Sequence, residues 1–164
     1  MFDKRPSLSG SRKSRRKGFS SILVAVEGEG PDDEAVKLAC ELLNHQNANL
    51  YIVYAIEVER GLPVDAEMAP ATAKGEEILK HMEDVAGLFK VSTQAELLQS
   101  RLAGAAVVQE AVAKQVDAIV LGVSYRESYG SFSMGDTVPY VLKNAPCRVI
   151  LWRDFIPSAS VGNG

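Results

Sequence analysis

Short apolar stretches alternate with amphipathic ones along the chain. That alternation predicts an α/β protein: a doubly wound five-stranded parallel sheet, strand order 3-2-1-4-5, with helices on both faces. Two stretches carry most of the prediction. Ile22 to Val26 and Ile119 to Val123 are nearly continuous runs of apolar, mostly β-branched residues, as a strand covered on both faces requires. In the order 3-2-1-4-5 the first and fourth strands flank a topological switch, so Glu27 and Gly122 reach one crevice from 95 positions apart.

The elements follow in order. The first strand stops at Glu27-Gly28, and Pro31-Asp32-Asp33-Glu34 then supplies a rigid first residue and three carboxylates where a helix start favours negative charge. That helix is expected to run to about His45, burying Val36, Ala39, Cys40 and Leu43. Leu50 to Val58 mixes aromatic and β-branched residues and reads as a second strand ending at Glu57. Glu59 to Pro70 shows no period and contains Gly61, Pro63 and Pro70, so it is a loop, either a flap over a ligand or a passive connection. Ala71 to Lys90 places Ile78, Met82, Val85 and Phe89 on one helical face. Gln94 to Gln99 makes a third strand. Gly104 to Gln115 makes a third helix, with Val107, Val108, Ala111 and Val112 as its apolar positions. Gly135 opens a fourth helix whose Val138, Val141 and Leu142 share a face. Asn144-Ala145-Pro146 ends it, and Cys147 to Trp152 gives the fifth strand.

A chain of 164 residues, 46% apolar and 24% charged, suits one domain with one core, and no apolar run approaches the roughly 20 residues that span a bilayer. No secretory signal is visible, so the cytoplasm is the expected location. Charge is divided unevenly. Residues 1 to 17 carry seven basic side chains against Asp3, a charge of +6, which leaves −9 for the rest of a chain whose total is −3. An acidic body argues against a nucleic-acid-binding domain. The expected organisation is a basic, disordered tail over 1–18, one domain over 19–153 and a disordered end over 154–164. The tail is either a solvated leader or an electrostatic anchor for anionic lipid, an acidic partner or a transporter.

Catalytic chemistry has few candidates. Cys40 and Cys147 lack a CxxC or paired-ligand spacing and read as buried thiols. His45 and His81 have no i, i+4 partner and no triad ordering, so neither looks catalytic or metal-binding. Ser124, Ser128, Ser131 and Ser133 sit in no GxSxG elbow, and no GxxxxGK(S/T) loop is present. The stretch from Asp117 to Asn144 is different. It joins a buried strand, a glycine-containing loop and a helix start, whose unpaired N–H groups at Gly135 and Asp136 suit a phosphate-sized anion.

In spacing, that loop resembles the universal stress protein family, whose nucleotide-binding members carry Gly-x2-Gly-x9-Gly-(Ser/Thr) between the fourth strand and the fourth helix. Gly122 and Gly135 stand at the first and third glycines. Tyr125 replaces the second, Asp136 replaces the hydroxyl residue, and Thr137 comes one place late. SILVAVEG, YIVYAIEV and NAPCRVILW resemble the family's first strand, second strand and last helix-to-strand turn, so the resemblance covers roughly residues 19 to 153. It implies a Rossmann-like fold of the adenine nucleotide alpha hydrolase type. It also implies a stress-response module that senses nucleotide or contacts proteins, with no catalytic residues. An ATP-binding member with slow hydrolysis, or a cytoplasmic regulatory domain of a membrane transporter, are the alternatives.

The resemblance also implies the ligand and its contacts. ATP or AMP would bind with Gly122, Ser124, Tyr125, Gly135, Asp136 and Thr137 around the phosphates and Val26, Glu27 and Ala55 around base and ribose. Because Tyr125 and Asp136 depart from the motif, ATP binding is expected to be weak or absent. Asp136 either caps the fourth helix itself or holds a Mg²⁺ that arrives only with nucleotide. The family commonly pairs fifth strands, which implies a homodimer through Val149, Ile150, Leu151 and Trp152.

Overall fold

The computed structural model describes residues 18–43, 46–124, 126–128 and 131–155. A central parallel sheet is built from β1 (Ser21–Val26), β2 (Asn49–Glu57), β3 (Ser92–Ser100), β4 (Ala118–Val123) and β7 (Arg148–Arg153). Its order is β3-β2-β1-β4-β7, the predicted 3-2-1-4-5. The helices are α1 (Asp32–Leu42), α2 (Ala69–Gly87), α3 (Ala103–Ala113) and α4 (Thr137–Asn144). A two-stranded antiparallel hairpin, β5 (Arg126–Ser128) and β6 (Ser131–Ser133), stands between β4 and α4. In the sequence this stretch shows only a loop, because its polar, serine-rich residues lack an apolar alternation.

Strand alternation divides the interior into two layers. Ile22, Val24 and Val26 face one way with Leu50, Ile52 and Val120, and they pack against Val36, Ala39 and Cys40 of α1 and Leu79 and Met82 of α2. Leu23, Val53, Ile119, Leu121 and Val123 face the other way, against Val107 and Ala111 of α3 and Val138 and Val141 of α4. Both faces of β1 and β4 are therefore covered, which explains their unbroken apolar sequences. The single core expected from length is two cores separated by the sheet.

Several limits and faces differ from expectation. Helix α2 starts at Ala69, two residues early, because Pro70 occupies its first turn, where a missing N–H costs nothing. It stops at Gly87, short of Lys90, whose positive φ of 54° ends helical geometry. Gln115, φ 53°, lies likewise beyond the end of α3. Leu142 and Val112, placed on buried faces by spacing, are 49% and 54% exposed, since α4 and α3 bury narrower stripes. Cys40 is buried, as expected, and burial pushes its thiol up to about 11. Cys147 is only half-buried. His45, the basic tail up to residue 17 and the end from residue 156 lie outside the described residues.

Candidate functional site

The carboxyl ends of β1, β2 and β4 open into a cavity of about 480 Å³ on the α3 and α4 side of the sheet. Its floor is apolar: Ala25, Val53, Leu121 and Val123 from the strands, Val107 and Val138 from the helices. Such a site lies where open α/β sheets bind ligands and falls within the usual range of small-molecule pockets, about 300–1,000 Å³. Val26, Glu27, Ala55, Gly122, Ser124, Gly135, Asp136 and Thr137 all border it. Tyr125, singled out with them in the sequence, lies outside the described residues.

The glycines have different physical reasons. Gly135 adopts φ 69°, a left-handed conformation that side chains resist, with nothing within 4 Å of where a Cβ would stand. Gly122 is ordinary in φ but crowded. A Cβ there would lie 3.1 Å from the Pro31 carbonyl and 3.2 Å from an Asp32 carboxylate oxygen. Gly122 thus lets the end of β4 pass under the first turn of α1, a packing role that its place in a phosphate motif did not reveal.

Asp32 does more than its place among three acidic residues at a helix start suggests. It is 2% exposed, and its Oδ2 accepts backbone N–H groups from Glu27 (2.9 Å), Gly28 (2.7 Å) and Glu29 (3.1 Å). One carboxylate oxygen therefore gathers three donors of the turn after β1, which the Asp32 N–H also closes on the Glu29 carbonyl at 3.1 Å, and holds the Glu27 backbone at the cavity rim. Burial pushes this carboxyl above its ordinary value, opposed by the three donors and assisted by the neighbouring Glu29 charge. The signal was present only as one acidic residue among three at a helix start.

Carboxylates also occupy the helix ends that face the cavity. Glu57, at the end of β2, accepts the Ala103 N–H at 2.9 Å and so caps α3 from 46 positions away. Asp136 stands at the N-cap of α4 in α-helical geometry, φ −99° and ψ −29°, and makes no side-chain cap hydrogen bond. That corrects the expected self-cap: a side chain leaving helical backbone is not aimed back at its own first turn, whereas an N-cap residue normally takes β-region angles. The Gly135 N–H, expected to be unpaired, donates to the Ser133 hydroxyl at 3.2 Å. Beyond it the first turn of α4 keeps backbone N–H groups without intrahelical partners, except at Pro139, which has none.

Among the described residues no group of three or more His, Cys, Asp or Glu side chains forms a metal cage. Asp136 suits Mg²⁺ only together with a phosphate, since that ion is commonly held by one or two carboxylates plus substrate oxygens. Exposed His81 lies away from the cavity, its Nε2 3.0 Å from both oxygens of half-buried Asp33. No helix among the described residues is long and apolar enough to cross a membrane.

Comparison with known proteins agrees with this architecture. A universal stress protein of Methanocaldococcus jannaschii is 27% identical over 139 residues, covering 81% of each chain. A solved universal stress protein from Archaeoglobus fulgidus superposes with a TM-score of 0.67 at 19% identity, covering 80% of this chain and 96% of that one. Another from that organism, solved in complex with dAMP, gives 0.66 at 17% identity over 82% and 98%. One from Arabidopsis thaliana with AMP bound gives 0.59 at 14% identity over 85% and 94%. The model of the universal stress protein family matches residues 18–153, the whole of the sheet and its helices, and the chain belongs to that family.

Proposed function

We propose that the cavity takes an adenine mononucleotide in preference to ATP, and that the protein acts as a nucleotide-responsive interaction module with no dedicated catalytic activity. The carrying observation is the division of the cavity into an apolar floor and a rim bearing Glu27, Glu57 and Asp136. The floor suits a flat base beside Ala55 and Val26. The rim suits one phosphate at most. A carboxylate about 5 Å from a phosphate charge costs roughly 3 kcal/mol at an effective dielectric near 20 and about 1 kcal/mol in water. Asp136 is exposed, so its effect falls toward the lower figure, yet it grows with every phosphate added. Ser124, Thr137 and the α4 N–H groups supply donors for a single phosphate, with Gly135 fixing the approach. The dAMP and AMP held by two structural relatives are in keeping with this choice. Mg²⁺ would enter only with nucleotide, beside Asp136.

Calorimetric titration with AMP and ATP, each with and without Mg²⁺, tests the reading. AMP is expected to bind and ATP to bind more weakly without the metal. Tighter metal-free binding of ATP would reverse the assignment.

The reading includes a homodimer through β7, supported by its place at the sheet edge and by Leu151, 39% exposed on it.

A further inference from the structure

The β2 end of the cavity is unlike the β4 end. Its walls include Ala55 of β2, Met68 and Ala71 at the start of α2, and Ala103 and Val107 of α3, and among the described lining residues of these three elements Glu57 alone carries a charge. Val53 faces α3, and strand alternation puts Ala55 and Glu57 on the same face, two and four residues further on. There Glu57 Oε1 accepts the Ala103 N–H, the first of α3, at 2.9 Å. That bond ties one carboxylate oxygen to the helix, while Oε2 has no hydrogen-bond partner among the described residues. Because β1 separates β2 from β4, Glu57 stands two strand spacings, about 10 Å across the sheet, from the β4 end, where Ser124, Gly135 and Thr137 border the cavity.

We propose that Glu57 selects the base: its second oxygen accepts a hydrogen bond from the exocyclic amine of an aminopurine lying over Ala55. The inference rests on the proposed mononucleotide, whose phosphate beside Thr137 leaves the base to reach across β1 to β2. A carboxylate only accepts, so it favours a base that presents an N–H there over one with a carbonyl or a bare ring edge. In a wall otherwise apolar, one oriented acceptor sets which way a flat ring docks. The Ala103 N–H gives the test its sign, because it must keep an oxygen. In Glu57→Gln the amide oxygen therefore stays on Ala103 and the amide nitrogen takes the place of Oε2, so that donor faces donor.

Calorimetry on the full chain with AMP and purine riboside 5′-monophosphate, which differ only in the 6-amino group, tests the assignment. Wild type is expected to bind AMP about tenfold more tightly, and Glu57→Gln to bring the two within about twofold through loss of AMP affinity alone. Glu57 is exposed and glutamine keeps the oxygen that caps α3, so the melting temperature should hold. Should Glu57→Gln nevertheless lose its cooperative transition, Ala103→Pro carries the same test. Proline suits a first helical position, and Leu102 before it already has the extended φ −137° and ψ 120° that proline requires. Without the Ala103 N–H the carboxylate is no longer oriented, and the preference for AMP should drop to about threefold. No preference for AMP in wild type, or an unchanged preference in the variant, overturns the role of Glu57 while AMP binding stands. Failure of wild type to bind either nucleotide overturns the mononucleotide reading, and the role of Glu57 with it.

Discussion

Asp32 gives the sharpest stability test, because one atom of it satisfies three backbone donors. Asp32→Ala removes the acceptor and leaves the N–H groups of Glu27, Gly28 and Glu29 to find water in a turn where the side chain was 2% exposed. Hydrogen bonds to a charged group contribute about 1.5–3 kcal/mol each, but partial rehydration of a surface turn recovers much of that, so a loss of about 3–4 kcal/mol is expected. Asp32→Asn keeps a carbonyl oxygen of similar reach and drops the charge. Since burial raises this carboxyl above its ordinary value, the folded protein disfavours the charge, and Asn should cost only about 1 kcal/mol. The pH dependence has a definite sign. A raised folded pKa gives a contribution fully present below the unfolded value and lost as pH rises through the folded one. The stability of wild type relative to Asp32→Asn should therefore fall as pH climbs above about 4. Urea unfolding followed by circular dichroism measures all three quantities. A loss below about 1 kcal/mol for Asp32→Ala, or equal losses for Ala and Asn, would refute the acceptor role.

The two site glycines should separate by mechanism. Gly122→Ala forces a Cβ against the Pro31 carbonyl and should cost about 1–3 kcal/mol, while Gly135→Ala meets no atom and should cost only the strain of its φ, about 1–2 kcal/mol, with AMP binding lost before stability. Light scattering at micromolar concentration should give a dimer mass, reduced to a monomer by Leu151→Lys at the β7 edge; a monomeric wild type would remove the dimer from the account. Deleting residues 2–17 should lower binding to anionic vesicles and leave the melting temperature unchanged, whereas equal binding by both forms would leave the tail no anchoring role.

The sheet was legible because its signal is local. Unbroken β-branched runs at Ile22–Val26 and Ile119–Val123 announced strands buried on both faces, and the order 3-2-1-4-5 followed from alternating strands and helices together with the family resemblance. The site was legible as a place: Glu27 and Gly122 do meet at one cavity, as the switch between β1 and β4 requires. Its hydrogen bonding was not. That Asp32 rather than Asp33 or Glu34 would close the turn depends on the local path of the backbone from Glu27 to Glu29, while the capping of a helix 46 positions on by Glu57 and the hold of Arg101 on carbonyls of a loop about 40 residues earlier depend on how separate elements pack. Spacing encodes which face a residue shares; it carries nothing about a partner on another element. Asp136 is the instructive failure, since its position at a helix start suggested a cap, while its own backbone angles withhold one.

The central claim is that carboxylates at the cavity rim set a mononucleotide preference, and the ratio of AMP to ATP affinity without Mg²⁺ tests it most directly. Asp136→Ser removes a charge from the phosphate end and leaves the apolar floor untouched. Calorimetry on wild type and variant should show ATP affinity rising about tenfold against little change for AMP, the screened value for a carboxylate facing extra phosphate charges. An unchanged ratio, or a wild type that already binds ATP more tightly than AMP without metal, would contradict the claim.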